Sequence, residues 1–413
     1  MAESHDVAIV GGGQAGLSLS HELTRAGREH VILERGNLGQ SWRTRWETFC
    51  LVLPNWSVRL AGQNYSGPEP DGFMSRDEFV GYLSAYAATF RLPIREGVSV
   101  TSLERSEDGG FLLRTSQGEI AAREVVLATG GNQRPHRPAP VAQLPDTMMV
   151  IGSESYRKPE ALPPGRVLVV GSGQTGCQIA EDLILAGRDV YIACGRAPWQ
   201  LRRPGGRELW EWMVGTPFLE MTLADLPSPM ARLAPNPQMT GRDGGHELNY
   251  RTLQAAGATL LGHLVGAEQG TAHFASDLAD SVAFGDARYR DLCEVIRRSA
   301  AAKELPMPEM PAPSPFVADA PDSVALSGFG AAIVACGYRP DYKSWVRMPD
   351  AFDEMGLPIQ EDGCSTVVSG LYVMGMPFQR KRTSATLFGV GEDAQVLAER
   401  MASRAIALNH WDG

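Results

Sequence analysis

The sequence predicts an α/β protein built from two Rossmann-like dinucleotide-binding domains, the second inserted into a discontinuous first. Three observations predict it. A GxGxxG fingerprint occurs twice, at Gly11, Gly13 and Gly16 and again at Gly171, Gly173 and Gly176. The copies align at one fixed offset (171 − 11 = 160), which pairs Gln14 with Gln174, Leu23 with Leu183 and Ala26-Gly27-Arg28 with Ala186-Gly187-Arg188. Each copy has an apolar strand before it and a helical pattern after it, a context that turns a weak motif into a specific one. Finally, 413 residues exceed what one hydrophobic core organises.

In the first copy, Gly11 permits the tight strand-to-helix turn and Gly13 lets a pyrophosphate approach the backbone. Gly16 lets the helix pack on the strand, while Gln14 and Ala15 open the helix whose N-terminus faces the phosphates. The next strand ends on Glu34 (34 − 11 = 23 residues on), a carboxylate that can accept both ribose hydroxyls and repels a 2′-phosphate. Arg35 follows it and could cover the adenine. In the strand-like stretch 95–104, Val98 is placed to hold adenine by its backbone. The apolar strand 123–127 then runs into Ala128-Thr129-Gly130, a glycine turn where the chain leaves the first domain.

The second copy carries the opposite chemistry. Gln174 and Thr175 open its helix, and Ser172 stands in the tolerant position between the first two glycines. The place of the acid (171 + 23) is Cys194, with Arg196 two residues on and Arg202 and Arg203 soon after. A guanidinium without a competing carboxylate suits a 2′-phosphate, which favours NADPH over NADH. After Pro198 the strand–helix rhythm breaks. A Pro- and Met-rich insertion, about 213–320 with its irregular part at 213–239, reads as a lid or an irregular cap. A second crossover, Ala335-Cys336-Gly337, returns the chain to the first domain. A last strand near 371–374 and an amphipathic helix from about Gly391 end it. The expected domains are 1–160 with 325–413, and 161–324.

Composition narrows the class. A net charge of −10 argues against nucleic acid or acidic membrane as partner. No apolar run reaches the roughly 18 residues that cross a bilayer, and the first strand begins too early for a cleaved leader. The six cysteines form no CxxC pair, so structural disulfides are not expected and a cytoplasmic compartment is. The same spacing supplies no dithiol for a disulfide reductase. No His/Asp/Glu spacing suggests a metal site, and His136 and His246 stand alone in turn-rich segments.

Taken together, the two glycine sites, residues 33–46, the strand-end Ala128-Thr129-Gly130 and the crossover at 335–340 resemble the class B flavin-dependent monooxygenases, which include flavin-containing, Baeyer–Villiger and YUCCA-type enzymes. The stretch 51–90 is similar as well, and the likeness covers most of the chain outside 213–320. The resemblance implies FAD at the first copy and NADPH at the second, with O2 and a small-molecule substrate as partners. The flavin would form a C4a-(hydro)peroxide that oxygenates nitrogen, sulfur or a ketone; a homo-oligomer is compatible with it.

The resemblance also implies site residues. Gln40, Ser41 and Trp42 would approach the pyrophosphate or flavin edge, and Asn55 and Trp56 the isoalloxazine. Tyr156 and Arg157 would touch the nicotinamide half, and Ala335, Gly337 and Gly375 the cofactor from the crossover and the last strand. The substrate pocket is expected from 51–65, 199–240 and 376–388. Two departures stand out. Gly152 occupies the family histidine position ahead of Ser153 and Tyr156, and Gly375-Met376 replaces the usual Gly-Asp. Two other readings remain: a flavoprotein reductase or oxidase that inserts no oxygen, and a nucleotide-binding redox sensor without catalysis.

Overall fold

A computed structural model describes residues 3–409, with side chains through Ser403. The first glycine copy forms strand β1 (Glu3–Val10), helix α1 (Gln14–Arg25) and strand β2 (His30–Leu33). β1 sits mid-sheet because Val7–Val10 are apolar on both faces. It pairs in parallel with β2 (Val7 opposite His30) and with strand Gly118–Leu127 (Val10 opposite Leu127). Leu371–Val373 continues the sheet beyond Gly118–Leu127, and Ile94–Arg95 extends it beyond β2. Because the chain leaves β1 to one side and later returns on the other, a crevice opens at the carboxyl end of β1, where the glycine turn lies.

The second copy repeats the unit as β3 (Arg166–Val170), α2 (Gln174–Leu185) and β4 (Val190–Ala193). Its sheet is wholly parallel, in the order Met149–Gly152, Phe329–Val334, β3, β4, Thr259–Leu261. That order moves the expected boundaries. Met149–Gly152 and Phe329–Val334 hydrogen-bond into the second sheet, so the change of sheet falls not at 160 and 325 but at the two crossovers. There Arg134–Pro135 pairs with Tyr338–Arg339. Gln133 fastens them: its amide donates to Thr129 Oγ1 and Gly130 O at 2.9 Å and accepts from Asp341 N at 2.6 Å. The glycine turns at 130 and 337 already marked these places in the sequence.

The insertion is only partly irregular. Its first part is a strap of short helices, Leu209–Met213 and Pro217–Glu220, followed by 3₁₀ turns. The strap lies on the first domain. Arg382 donates from its backbone to Met221 O (2.8 Å) and from Nε to Phe218 O (3.0 Å), and Arg232 pairs with Asp353. The later part is regular: strands Leu264–Glu268, Thr271–Phe274 and Ser323–Ala325 form an antiparallel sheet, and Leu278–Ala302 is a 25-residue helix. Buried Leu278, Val282, Tyr289, Leu292, Ile296 and Ala300 recur at helical spacing along it. The final helix, α3 (Val390–Asn409), lies along α1, with Val390, Ala394, Leu397 and Met401 in the same core as Leu17 and Leu23.

Candidate active site

Both glycine turns have the same steric logic. Gly11 has φ +119°, and a Cβ there would stand 2.4 Å from Ala128 O. At Gly16 a Cβ would stand 2.1 Å from Gly11 O. The second copy matches: Gly171 has φ +102° with Ala335 O at 2.6 Å, and Gly176 has Gly171 O at 2.0 Å. The middle glycines differ. A Cβ on Gly13 or Gly173 meets nothing within 4 Å, so each helix N-terminus presents bare backbone to open space. That is the cradle a pyrophosphate requires.

The ribose ends diverge. Glu34 is 7% exposed, and its carboxylate accepts from Gly12 N at 2.8 Å and Gly36 N at 2.9 Å. Two of its roughly four lone-pair sites remain for hydroxyl donors. In the second copy Cys194 is fully buried, and burial pushes its thiol pKa up, so it offers no anion. Instead Ser172 Oγ accepts from Gly195 N at 2.8 Å and meets Tyr250 Oη at 2.5 Å. Tyr250, 78 residues away in sequence, also donates to Gly195 O. Arg196 is exposed with no ion pair or hydrogen bond among the described residues. The neighbouring arginines are committed elsewhere. Arg203 donates to Gly244 O and Gly245 O (2.6 and 2.8 Å) and pairs with Glu208, and Arg202 is 2% exposed and pairs with Glu208 at 3.0 Å.

Around the first loop, Trp42 Nε1 donates to Gln14 Oε1 at 2.9 Å, and its ring meets Phe79 edge-on at 4.7 Å. Gln40 accepts from Asn37 N at 3.1 Å and folds against Gly36, while Arg35 and Ser41 face solvent. Val98 is buried and its N–H donates to Glu34 O at 2.9 Å. Gly375 reaches the start of α1, where its Cβ would stand 2.6 Å from that of Ala15. The missing acid beside it is answered by Gln379, whose Oε1 accepts from Gly375 N at 2.9 Å. Around the second loop, Gln174 Nε2 donates to Pro237 O at 2.9 Å, and Thr175 is half-buried beside it.

Three residues were expected near the chemistry. Asn55 is buried and clasps its own loop, donating to Glu69 O at 2.9 Å and accepting from Met74 N at 2.7 Å. Tyr156 is 1% exposed and donates to Asp182 Oδ2 at 2.6 Å. Burial and the Asp182 charge both raise its pKa, so this phenol stays protonated and is held as a donor. Trp56 instead lines a wall, its ring edge-on to Phe388 at 6.4 Å. Trp210 meets the same Phe388 at 5.7 Å, and the Arg59 guanidinium lies over that ring at 4.1 Å. The wall thus draws one aromatic from each of the three stretches expected to line a pocket. Trp210 Nε1 is buried there without a partner. Trp210, Phe388, Tyr250 and Asp182 carry no local signal, because each is defined by contacts between distant segments.

His246 pairs with Glu181 at 2.5 Å. Among the described residues no group of acids, histidines and cysteines could hold a metal ion, and no two cysteines form a disulfide. Among the described residues no helix is long and apolar enough to cross a membrane.

A family model described as pyridine nucleotide-disulphide oxidoreductase matches residues 8–206. An uncharacterized CzcO-like oxidoreductase of Geobacillus kaustophilus is 29% identical over 397 residues, 95% of this chain and 97% of its own. The indole-3-pyruvate monooxygenase YUCCA1 of Oryza sativa is 32% identical over 181 residues, 42% of this chain and 44% of its own. A flavin-containing monooxygenase from Stenotrophomonas maltophilia shares the fold with a TM-score of 0.69 at 18% identity, covering 98% of this chain and 99% of that one. Fold, paired glycine loops and relatives agree that the chain is an oxidoreductase that shares the fold of flavin-containing monooxygenases.

Proposed function

We propose that this oxidoreductase holds FAD at the first glycine loop and NADPH at the second, and that it oxygenates a small organic substrate with O2. The carrying observation is that two turns of identical steric design end in opposite ribose chemistry, Glu34 at one and an acid-free site with an uncommitted Arg196 at the other. Bound FAD would accept hydride from NADPH and, once reduced, activate O2. The protein's own part is to bind, orient and exclude water. Gly13 and Gly173 present helix N-termini to the pyrophosphates, and Glu34 offers acceptors to ribose hydroxyls. Trp56, Phe388 and Trp210 form an apolar wall that would shield the reacting face, with the Trp210 N–H free to donate. No acid–base triad is needed. Cysteines without a disulfide among the described residues fit a reducing, cytoplasmic setting.

Arg196 supplies the test. Charge-assisted hydrogen bonds contribute about 1.5–3 kcal/mol, so Arg196→Ala should weaken NADPH by about 10- to 100-fold while changing NADH little. The measurement is anaerobic flavin reduction at varied concentrations of each nucleotide. Equal losses with both would show that Arg196 does not read a 2′-phosphate.

A further inference from the structure

Asp182 lies on α2, the helix whose N-terminus carries the second glycine turn, and it is only 3% exposed. Its carboxylate gathers donors from three separate parts of the chain. Oδ1 accepts from Thr48 Oγ1 at 2.6 Å and from an Arg242 nitrogen at 2.8 Å, and Oδ2 accepts from Tyr156 Oη at 2.6 Å. Thr48 belongs to the first domain, between Trp46 and Phe49. Phe49 packs on Trp42 at 6.0 Å, and Trp42 is bonded to Gln14 in the first glycine turn. Tyr156 follows Met149–Gly152, the edge strand of the second sheet, with Trp46 at 6.5 Å, and Arg242 sits where the chain returns from the strap. Beside them Glu47 N donates to Arg157 O at 2.8 Å. A continuous line of contacts therefore runs Gln14, Trp42, Phe49, Thr48, Asp182 and along α2 to Gly173.

We infer that Asp182 is a positioning residue, the latch that fixes the angle between the two nucleotide turns. This rests on the proposed placement of FAD and NADPH. A buried carboxylate with three donors tolerates little movement, since any tilt of α2 would leave the charge and its donors unsatisfied. Hydride transfer is correspondingly sensitive, because a 1 Å misplacement can lower a rate by about 100-fold. Asp182 touches neither cofactor in this scheme; it acts through the helix that carries the loop.

Asp182→Asn keeps the volume but turns an amide N–H toward groups that donate. In the full-length holoenzyme, anaerobic flavin reduction by NADPH should slow by about tenfold or more at saturation, while the NADPH concentration for half-maximal rate stays within about threefold. In the same chain stripped of cofactor, hydrogen exchange should rise at 46–50 and 240–243 relative to wild type. If Asp182→Asn does not fold, the pair Thr48→Val with Tyr156→Phe removes one donor from each side and should show the same pattern in weaker form. A saturated reduction rate within about twofold of wild type, a loss confined to NADPH affinity, or unchanged exchange at both segments would each overturn the latch. Wild-type flavin that NADPH fails to reduce would instead overturn the functional reading, and the exchange measurement would then decide the latch alone.

Discussion

Gly13→Ala should give a folded protein that no longer retains FAD, and Gly173→Ala a yellow protein that NADPH no longer reduces. Both glycines have extended backbone that alanine adopts without strain (φ −87° and −64°, ψ near 180°), and an added Cβ meets nothing within 4 Å. Removing glycine's freedom from the unfolded chain should leave the empty protein as stable or up to about 1 kcal/mol more stable. The open space is where a pyrophosphate must approach the helix N-terminus, so a methyl group there forces the phosphates outward from the N–H groups that would hold them. A loss of about 100-fold in affinity, about 2.7 kcal/mol, is expected at whichever site is changed. Flavin-to-protein ratio, nucleotide titration and urea unfolding report the three effects separately. Gly16→Ala makes the contrast, because its Cβ would stand 2.1 Å from Gly11 O and the fold itself must suffer. Flavin lost from Gly173→Ala and kept by Gly13→Ala would reverse the assignment of the two sites.

Arg202→Ala should destabilise the chain by about 3 kcal/mol or more, at the lower end of the range for breaking a buried ion pair. Arg202 is 2% exposed, pairs with Glu208 at 3.0 Å, donates to Val52 O at 2.7 Å and lies over the Phe73 ring at 4.3 Å. It therefore joins the strap to the loop that carries Asn55 and Trp56. Alanine leaves the Glu208 carboxylate buried with one remaining partner, Arg203 at 2.8 Å, which is why the loss falls at the low end. Denaturant unfolding measures it. Arg202→Met with Glu208→Gln should recover much of the deficit, since it removes the orphaned charge along with its partner. A single Arg202→Ala loss below about 1 kcal/mol would mean the pair contributes no more than a surface bridge.

The parts of this fold that the sequence revealed are those governed by local rules. The glycine turns, their flanking strands and helices, and the switch from Glu34 to Cys194 all depend on residues within one strand–helix–strand unit. Membership of Met149–Gly152 and Phe329–Val334 in the second sheet depends on pairing between segments far apart in the chain, which no local rule reveals. The crossover glycines held the better signal. The helix Leu278–Ala302 repeats Leu278, Val282, Leu292 and Ile296 at helical spacing, yet it falls inside the stretch of about 213–320 expected as a lid or irregular cap. The buried polar groups were not legible at all. Arg202 and Arg203 read as phosphate ligands because nothing local marks Glu208 as their partner. Asp182 carries no signal in the sequence because Thr48, Tyr156 and Arg242 meet it only in three dimensions.

On the proposed function, electrons pass from the second nucleotide to the first and leave to O2 for transfer to a substrate. The direct measurement mixes NADPH-reduced enzyme with O2, without substrate, and follows oxygen consumption, flavin reoxidation and hydrogen peroxide release together. The account predicts that O2 is consumed first and that peroxide and oxidised flavin appear together after a lag. Peroxide released in step with O2 consumption, with no lag, would contradict it and leave a simple oxidase.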